Sequence, residues 1–199
     1  IIWALEAPES CVFISDLGDN PTAGCAGDVP LFLERLLAHN VESAVVASIA
    51  DDAAVAVCQS AGVDAEVELP LGGKLDNRTS KPLPVRGRVL HVAPSQNTEV
   101  VVQIGGVKVI VTQRRRPYHF IADFQRLGIE PLQHKIVVVK IGYLEPDLKR
   151  AAPLALLALS PGAVDQAIER LPFQRIQRPI YPLDKAMMWE PHPIVFPVS

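Results

Sequence analysis

The sequence has few cysteines and no long apolar run, and both shortages exclude classes of protein. Its three cysteines are widely spaced and form no CxxC pair. Neither a disulfide framework nor a cysteine-based zinc site is therefore expected, and this cysteine usage fits a reducing cytoplasm best. No apolar stretch approaches the ~20 residues that span a bilayer. The sequence predicts a cytoplasmic protein without a membrane-spanning segment.

An excess of charge of one sign is also missing. The 19 Lys and Arg residues stand against 22 Asp and Glu residues, which gives a formal net charge of −3. Proteins that bind nucleic acid or an anionic membrane usually present a strongly basic face. The one basic run, Arg114-Arg115-Arg116, is short and typical of a solvated loop. We therefore expect neither nucleic acid nor a membrane as a partner.

Several common catalytic patterns do not occur. The chain contains no GxGxxG, Walker or GxSxG motif, and its five histidines show no HxxxH spacing. No zinc motif is therefore visible in this chain. Cys25 is the one thiol in a Gly-rich loop near a predicted helix start, a position that can lower a thiol pKa. A self-contained hydrolase with Cys25 as nucleophile is the weakest of the functions that the sequence leaves open.

The first part of the chain alternates strand-like and helix-like segments. Residues 10–15 and 43–50 predict buried strands, and residues 29–40 and 53–62 predict the helices that follow them. Asp28 is a good N-cap for the first helix, and Asp51 or Asp52 for the second. Two successive strand-loop-helix units predict a parallel α/β arrangement.

The middle of the chain has a different pattern. Residues 85–93, 98–105 and 107–113 predict an antiparallel meander with a tight turn at Gly105-Gly106. Further predicted elements are strands at 63–71, 135–141 and 154–159 and helices at 118–127 and 163–171. The fold class is therefore α/β, with a mixed sheet, flanking helices and an antiparallel hairpin insertion. Residues 1–199 are expected to form a single domain.

Proline is concentrated at the carboxyl end of the chain. The prolines there are Pro172, Pro179, Pro182, Pro191, Pro193 and Pro197. Regular structure does not persist through such a series, because proline lacks a backbone donor and fixes φ. Residues 172–199 therefore predict an extended tail that packs over the domain.

The segment with the most chemical information is residues 16–28, the Gly-rich loop between the first strand and helix. Backbone N–H groups at such a place attract anions, and the carboxylates of Asp16, Asp19 and Asp28 could instead orient a cation or a metal. The loop could also be purely structural, with Asp28 as a cap. Lys140 ends an apolar strand and could hold a substrate carboxylate at the same sheet edge, or lie exposed at the strand end. Lys74 is a similar but weaker candidate.

The loop pattern resembles a known family. The spacing D-x-x-D-N-P-x-x-G-x-x-G-D resembles the start of the C-terminal domain of the MlrC-like (microcystinase C) metallopeptidases. Its residues here are Asp16, Asp19, Asn20, Pro21, Gly24, Gly27 and Asp28. The LGGK turn at 71–74, the GIEP segment at 128–131, the strand ending in Lys140 and the RPIYPLD segment at 178–184 follow in matching order. The resemblance covers nearly the whole chain.

The resemblance implies a zinc-dependent hydrolase of peptide or amide bonds, with its metal-binding residues in a separate N-terminal domain. Because the chain opens Ile1-Ile2-Trp3 without Met, we expect a piece that lacks this domain, holds no metal itself and is inactive alone. The substrate-binding residues that the resemblance implies are Asp16, Asp19, Asn20, Gly24, Gly27, Asp28 and Lys140. The expected partners are the N-terminal domain and a peptide-like or amide substrate, and assembly into a homo-oligomer is left open.

Two departures from the family pattern bear on the substrate. Thr22 and Ala23 stand where family members commonly have Gly, and the chain reads KIGYLEP after the strand lysine, with Tyr143 in that region. A difference from the family in substrate preference, or even in peptidase activity, is therefore expected. One function from another class stays open, a non-catalytic binding or assembly domain that holds a small anion or a peptide carboxylate at a helix N-terminus.

Overall fold

The computed structural model describes residues 1–196. Its residue contacts divide the chain into two compact units, Ile1–Gln166 and Ala167–Ser199. In the described part of the chain, every helix is too short or too polar to cross a membrane.

One eight-stranded sheet forms the centre of the first unit, in the order β3-β4-β5-β6-β2-β7-β1-β8. The strands are β1 (Val12–Asp16), β2 (Ala44–Ala50), β3 (Glu66–Leu71), β4 (Leu83–Ala93), β5 (Glu99–Ile104), β6 (Val107–Thr112), β7 (Ile136–Val139) and β8 (Leu154–Ala158). The helices are α1 (Ile2–Glu6), α2 (Leu31–Ala38), α3 (Asp52–Ala61), α4 (Ile121–Gln125) and α5 (Pro146–Ala151).

Five neighbouring strands, β6, β2, β7, β1 and β8, are parallel. Strands β1, β2 and β7 are buried along their whole length, which explains their continuous apolar sequences. Side chains of α2 and α3, such as Leu33 and Val55, pack on one face of the sheet with Val46. Phe124 of α4 and Leu148 of α5 pack on the other face. The sheet is thus covered by helices on both sides.

The other half of the sheet is an antiparallel meander formed by β3, β4, β5 and β6. Buried and exposed residues alternate along β3, as expected for a strand with one face on the core. Gly105 makes the turn between β5 and β6 with a φ of +55°, in the region that favours glycine. The predicted mixed sheet with an antiparallel hairpin insertion is confirmed.

The predicted helix at 163–171 is wrong, since only Ile168–Arg170 form a short 3₁₀ helix there. Tertiary contacts hold the start of this segment in another conformation: Val164 N donates to Gly18 O at 3.2 Å. A Cβ on Gly162 would lie 1.9 Å from the same oxygen. This close approach of two backbones overrides the apolar pattern that favoured a helix. The predicted helix at 118–127 is present in a shorter form as α4.

The second unit begins at Ala167, shortly before the predicted tail at 172–199. Apart from the 3₁₀ helix, its described residues form turns and irregular segments. Arg178 Nε donates to Asp184 Oδ2 at 2.6 Å and Ile180 N donates to the same oxygen at 2.7 Å. These bonds lower the pKa of Asp184 to about 2. Pro197, the last proline of the series, lies outside the described residues, and packing of the tail over the domain stays a prediction.

Candidate functional site

The carboxyl ends of the five parallel strands meet at one edge of the sheet. The Gly-rich loop leaves β1 at this edge, Asp51 follows β2, the arginine run follows β6 and Lys140 follows β7. Open α/β sheets bind their ligands at this edge, because connecting loops there diverge and leave a crevice. This edge is therefore the candidate site.

Lys140 lies at the centre of a buried ionic network. Its Nζ lies 3.0 Å from Asp16 Oδ2, 2.9 Å from Asp19 Oδ2 and 2.8 Å from Val29 O. A lysine ammonium has three protons, so each has an acceptor. Ser160 Oγ donates to the other Asp16 oxygen. The structure thus brings Asp16, Asp19 and Lys140 together and directs all three protons of Lys140 to the chain itself.

The buried charges of this network stabilise one another by pairing. The Lys140 side chain is 2% exposed. Burial acts to lower the pKa of Lys140, but the carboxylates of Asp16 and Asp19 outweigh it, and the pKa lies above its ordinary value. Burial raises the pKa of Asp19, against the lowering effects of Lys140 and of two backbone donors. Those donors are Gly27 N and Val29 N, each 2.8 Å from an Asp19 oxygen. Asp19 therefore joins the two ends of the Gly-rich loop to Lys140.

The tip of the Gly-rich loop is the part that reaches solvent. Asn20 Oδ1 accepts from Thr22 N at 2.9 Å and from Thr22 Oγ1 at 2.7 Å, which caps the short 3₁₀ helix Pro21–Ala23. Gly24 ends that helix with a φ of +97° and is exposed. Within residues 1–196, Asn20 Nδ2 has no hydrogen-bond partner. Asn20 itself is 7% exposed, so its two amide donors lie without a partner just beneath the surface of the loop.

The prediction that Asp28 caps α2 is wrong. Helix α2 begins at Leu31 after Pro30 and has no side-chain cap. Asp28 Oδ2 instead accepts from Lys74 N at 2.8 Å and from Leu75 N at 2.6 Å. Successive N–H groups of a tight turn form a concave anion site, and a carboxylate that accepts two of them is held more strongly than a single-bond cap. Asp28 therefore fastens the Gly-rich loop to the turn after β3.

Asp51 makes a second link to the same turn. It caps α3 through Ala54 N at 3.1 Å, as predicted, and also accepts from Gly72 N at 2.9 Å. Lys74 Nζ lies 2.8 and 2.7 Å from its two oxygens. The Lys74 side chain is 33% exposed and Asp51 is 1% exposed. The sequence singled out Asp51 and Lys74 separately, but their pairing depends on a turn that only the folded sheet brings close.

A cavity of about 590 Å³ opens beside these groups. We call it the edge cavity. Its lining residues are Ala26, Ala50, Asp51, Asp52, Ala53, Lys74, Leu75, Gln113, Arg114 and Arg115. Arg115 Nη1 donates to the carbonyls of Gly24 and Cys25, both at 3.3 Å. The arginine run thus reaches the Gly-rich loop across the cavity wall.

The last arginine of the run is anchored, in contrast to the predicted solvated loop. Arg116 lies 3.3 Å from Glu99 Oε2 and 3.0 Å from Asp123 Oδ1. Glu99 is buried and also accepts from Tyr118 Oη at 2.6 Å and from Arg126. Burial and the Glu99 charge raise the pKa of Tyr118. A carboxylate within an apolar strand was the one sequence signal that could have indicated this network.

Cys25 has the surroundings of a structural thiol. It is buried, and its Sγ lies 3.4 Å from Gly18 O as a donor. Burial and the Asp19 charge raise its pKa, whereas a nucleophilic thiol needs a lowered pKa. Helix α2 begins six positions after Cys25, at Leu31. These surroundings contradict a lowered pKa at Cys25.

Zinc does not fit the residues of this edge. Among residues 1–196, no three His, Cys, Asp or Glu side chains lie together as a metal-binding group. Asp16 and Asp19 lie side by side, but Lys140 is bound between them as their counter-ion. Zinc sites usually need three or four protein ligands. The described residues of this edge therefore offer no ligand set for zinc.

The fold is that of an α/β domain, and charged side chains line a crevice at the carboxyl ends of its parallel strands, where such domains bind ligands. The model of the family "MlrC C-terminus" matches residues 14–175. The chain therefore belongs to this family, which confirms the resemblance carried by the Gly-rich loop.

Two relatives extend the comparison. Microcystinase C of a Sphingomonas species is 29% identical over 140 residues, which cover 65% of this chain and 28% of that protein. A crystal structure from Mesorhizobium sp. BNC1, of a protein assigned as a metallopeptidase, has a TM-score of 0.76 and 22% identity. It covers 95% of this chain, which spans 40% of that protein. The second relative therefore has the same fold, and the chain spans less than half of either.

Proposed function

We propose that this chain is the C-terminal domain of a zinc-dependent hydrolase of peptide or amide bonds. In this proposal the Gly-rich loop and the edge cavity form one wall of an active site, and an N-terminal domain carries the zinc and completes the site. The observation that carries the proposal is a rigidly fastened loop beside an open cavity at the ligand-binding edge, in a chain of the MlrC C-terminus family. The names of the two relatives support the reaction class.

The predicted substrate-binding residues divide into two groups by their contacts. Partners within the chain occupy the side chains of Asp16, Asp19, Asp28 and Lys140, as well as the backbone N–H of Gly27. In our proposal this first group positions the Gly-rich loop. Gly24 is exposed, and Asn20 is 7% exposed but keeps an amide without a partner. In our proposal direct contact with the substrate therefore falls to the Asn20 amide and to the backbone near Gly24.

Two further features support the proposed organisation. The family match runs from residue 14 to 175 and so crosses the boundary between Gln166 and Ala167, which supports one functional domain. All three cysteines are free and buried, which supports the proposed cytoplasmic location. In our proposal the N-terminal domain is the first partner of this chain.

The test uses the proposed longer protein, in which the N-terminal domain precedes this domain. We expect near-stoichiometric zinc and amide hydrolysis that a chelator abolishes. In Asn20→Asp the capping oxygen is kept and the amide donors are lost, so we expect kcat/KM to fall at least ~10-fold, about 1.4 kcal/mol of transition-state stabilisation. Because Asn20 is 7% exposed, thermal unfolding is measured alongside to separate the loss of the donors from the cost of a charge at a buried position.

The matched control is Asn77→Asp, which adds the same charge at an exposed position that does not line the edge cavity. It should leave kcat/KM unchanged. Equal kinetics for the two variants and the parent protein would remove Asn20 from the site. Absence of metal and of hydrolysis in the longer protein would contradict the proposed function and favour the non-catalytic binding domain.

A further inference from the structure

The edge cavity has the size and position of a ligand subsite. Its volume of about 590 Å³ falls in the ~300–1,000 Å³ range of small-molecule pockets. Four separate segments line it: the Gly-rich loop, the β2–α3 connection, the turn after β3 and the arginine run. The side chains of Ala26, Ala53 and Leu75 give it apolar walls. An aliphatic group of a ligand could pack there. The charged residues that line the cavity determine which polar group this ligand carries.

The charged groups of the cavity differ in how far they are neutralised. Lys74 and Asp51 form a close pair, and Arg115 donates to backbone carbonyls. The guanidinium of Arg114 has no partner in the described residues. Of the lining carboxylates, only Asp52 is exposed. Three cations therefore face two carboxylates in a chain whose formal net charge is −3.

The backbone beneath Arg114 is fixed. Arg114 N donates to Asn97 Oδ1 at 2.7 Å, and Asn97 Nδ2 donates to Arg114 O at 3.3 Å. Two positions on, Arg116 is held by Glu99 and Asp123. A guanidinium on a fixed backbone loses less freedom when it binds a ligand than one on a mobile loop. Arg114 thus lines the cavity on a fixed backbone and carries a charge without a partner among the described residues.

We infer that the edge cavity is a subsite for a substrate carboxylate, in which the Arg114 guanidinium binds the acid and the apolar walls hold its aliphatic stem. A planar guanidinium matches a carboxylate through two parallel hydrogen bonds. The first backbone N–H groups of α3, at Asp52 and Ala53, add donors at the same wall. This inference rests on the proposed function and names the substrate class of that site. The substrate is an amide with an acidic side chain or a free carboxyl end.

The direct test measures binding by the chain itself. The probe is N-acetyl-glutamate amide, and its neutral counterpart is N-acetyl-glutamine amide, which has nearly the same shape. We expect the acid to bind at least ten-fold more tightly in an NMR titration, with shifted signals around residues 113–115 and 50–53. Arg114→Gln should remove this preference, and Asp52→Asn should strengthen binding of the acid several-fold. Arg78→Gln, an exposed arginine outside the cavity, is the matched control and should change nothing.

Equal binding of acid and amide, no binding of either, or an unchanged preference in Arg114→Gln would overturn the inference. Melting curves of the variants, which should match that of the parent chain, exclude unfolding as the cause.

A second measurement separates this inference from the proposed function. In the longer protein, Arg114→Gln should raise KM for an acidic amide substrate at least ten-fold and leave kcat near its parent value. Hydrolysis that shows no preference for acidic substrates and is unaffected by Arg114→Gln would contradict the carboxylate subsite and leave the proposed function in place. Binding of the acid that depends on Arg114, in a longer protein without hydrolase activity, would support the carboxylate subsite and contradict the proposed function.

Discussion

Two lysine–aspartate pairs lie at the same edge of the sheet and differ in access to water. Lys140 is 2% exposed and lies between Asp16 and Asp19, whereas Lys74 is 33% exposed and borders the edge cavity. The same chemical groups thus build a sealed network and an open one a few elements apart. The comparison indicates that access to water, and not the residue types, separates the part that holds the Gly-rich loop from the part that is free to bind a ligand.

Burial explains why the sealed network is so fully bonded. Removing charges from water costs several kcal/mol per ion in effective terms, and only close pairing with further hydrogen bonds offsets it. Both carboxylates around Lys140 have such additional donors: Ser160 for Asp16, and Gly27 N with Val29 N for Asp19. At the second pair the Lys74 ammonium stays partly hydrated and Asp51 has two further backbone donors, so the pair is expected to contribute less.

The largest expected effect comes from removing the buried cation. Lys140→Met keeps the volume of the side chain roughly the same but leaves Asp16 and Asp19 as adjacent buried carboxylates without a counter-ion. Breaking a buried ion pair in this way costs about 3–5 kcal/mol. Urea denaturation followed by circular dichroism should detect this loss in the free energy of unfolding.

Two companion variants show whether the charge is the cause. Lys149→Met, at an exposed lysine in the last turn of α5, should change stability by less than about 0.5 kcal/mol. Lys140→Met combined with Asp19→Asn removes one of the two unpaired charges and should regain part of the loss. If Lys140→Met cost less than about 1 kcal/mol, the network would behave as an exposed pair and the comparison would fail.

The next effect tests how the sealed network is closed. A Cβ on Gly162 would lie 1.9 Å from Gly18 O and 2.9 Å from Asp19 N. Gly162→Ala therefore has to push the segment after β8 away from the Gly-rich loop, which we expect to cost about 2–3 kcal/mol, as overpacking does elsewhere. Thermal or urea unfolding measures the loss.

Gly24 is the matched glycine on the open side of the same loop. No atom lies within 4 Å of a Cβ added there, but its φ is +97°. Gly24→Ala should therefore lose only the backbone term, about 1 kcal/mol. Equal losses at the two glycines would mean that closure between Gly18 and Gly162 adds nothing to the sealed network.

The contrast between local and distant interaction partners explains how much of the fold and of the candidate site could be predicted from the sequence. The strands β1, β2 and β7 are short, mainly apolar runs, so their existence follows from local sequence. The mixed sheet follows from the change of pattern after β3. The capping role of Asp51 is also local, because its partner Ala54 N is three residues away.

Interactions between distant residues account for the errors. Asp28 looks like a helix cap, but its partners are 46 and 47 residues away. Lys140 looks like an exposed strand end or a substrate ligand, and its carboxylate partners are 124 and 121 residues away. The false helix at 163–171 arose because no local signal records that Gly162 must contact Gly18. Such partners become visible only once the order of the strands is known.

The smallest expected effect comes from Lys74, the lysine of the open pair. Lys74→Met leaves Asp51, whose side chain is 1% exposed, with two backbone donors, Gly72 N and Ala54 N. We therefore expect a loss of about 1 kcal/mol or less in the free energy of unfolding, and raised salt should shrink it further because exposed charges are screened. The loss in Lys140→Met should change little with salt. If both lysine variants lost the same free energy with the same salt dependence, exposure would not separate the two pairs, and the division of this edge into a structural and a binding part would have to be abandoned.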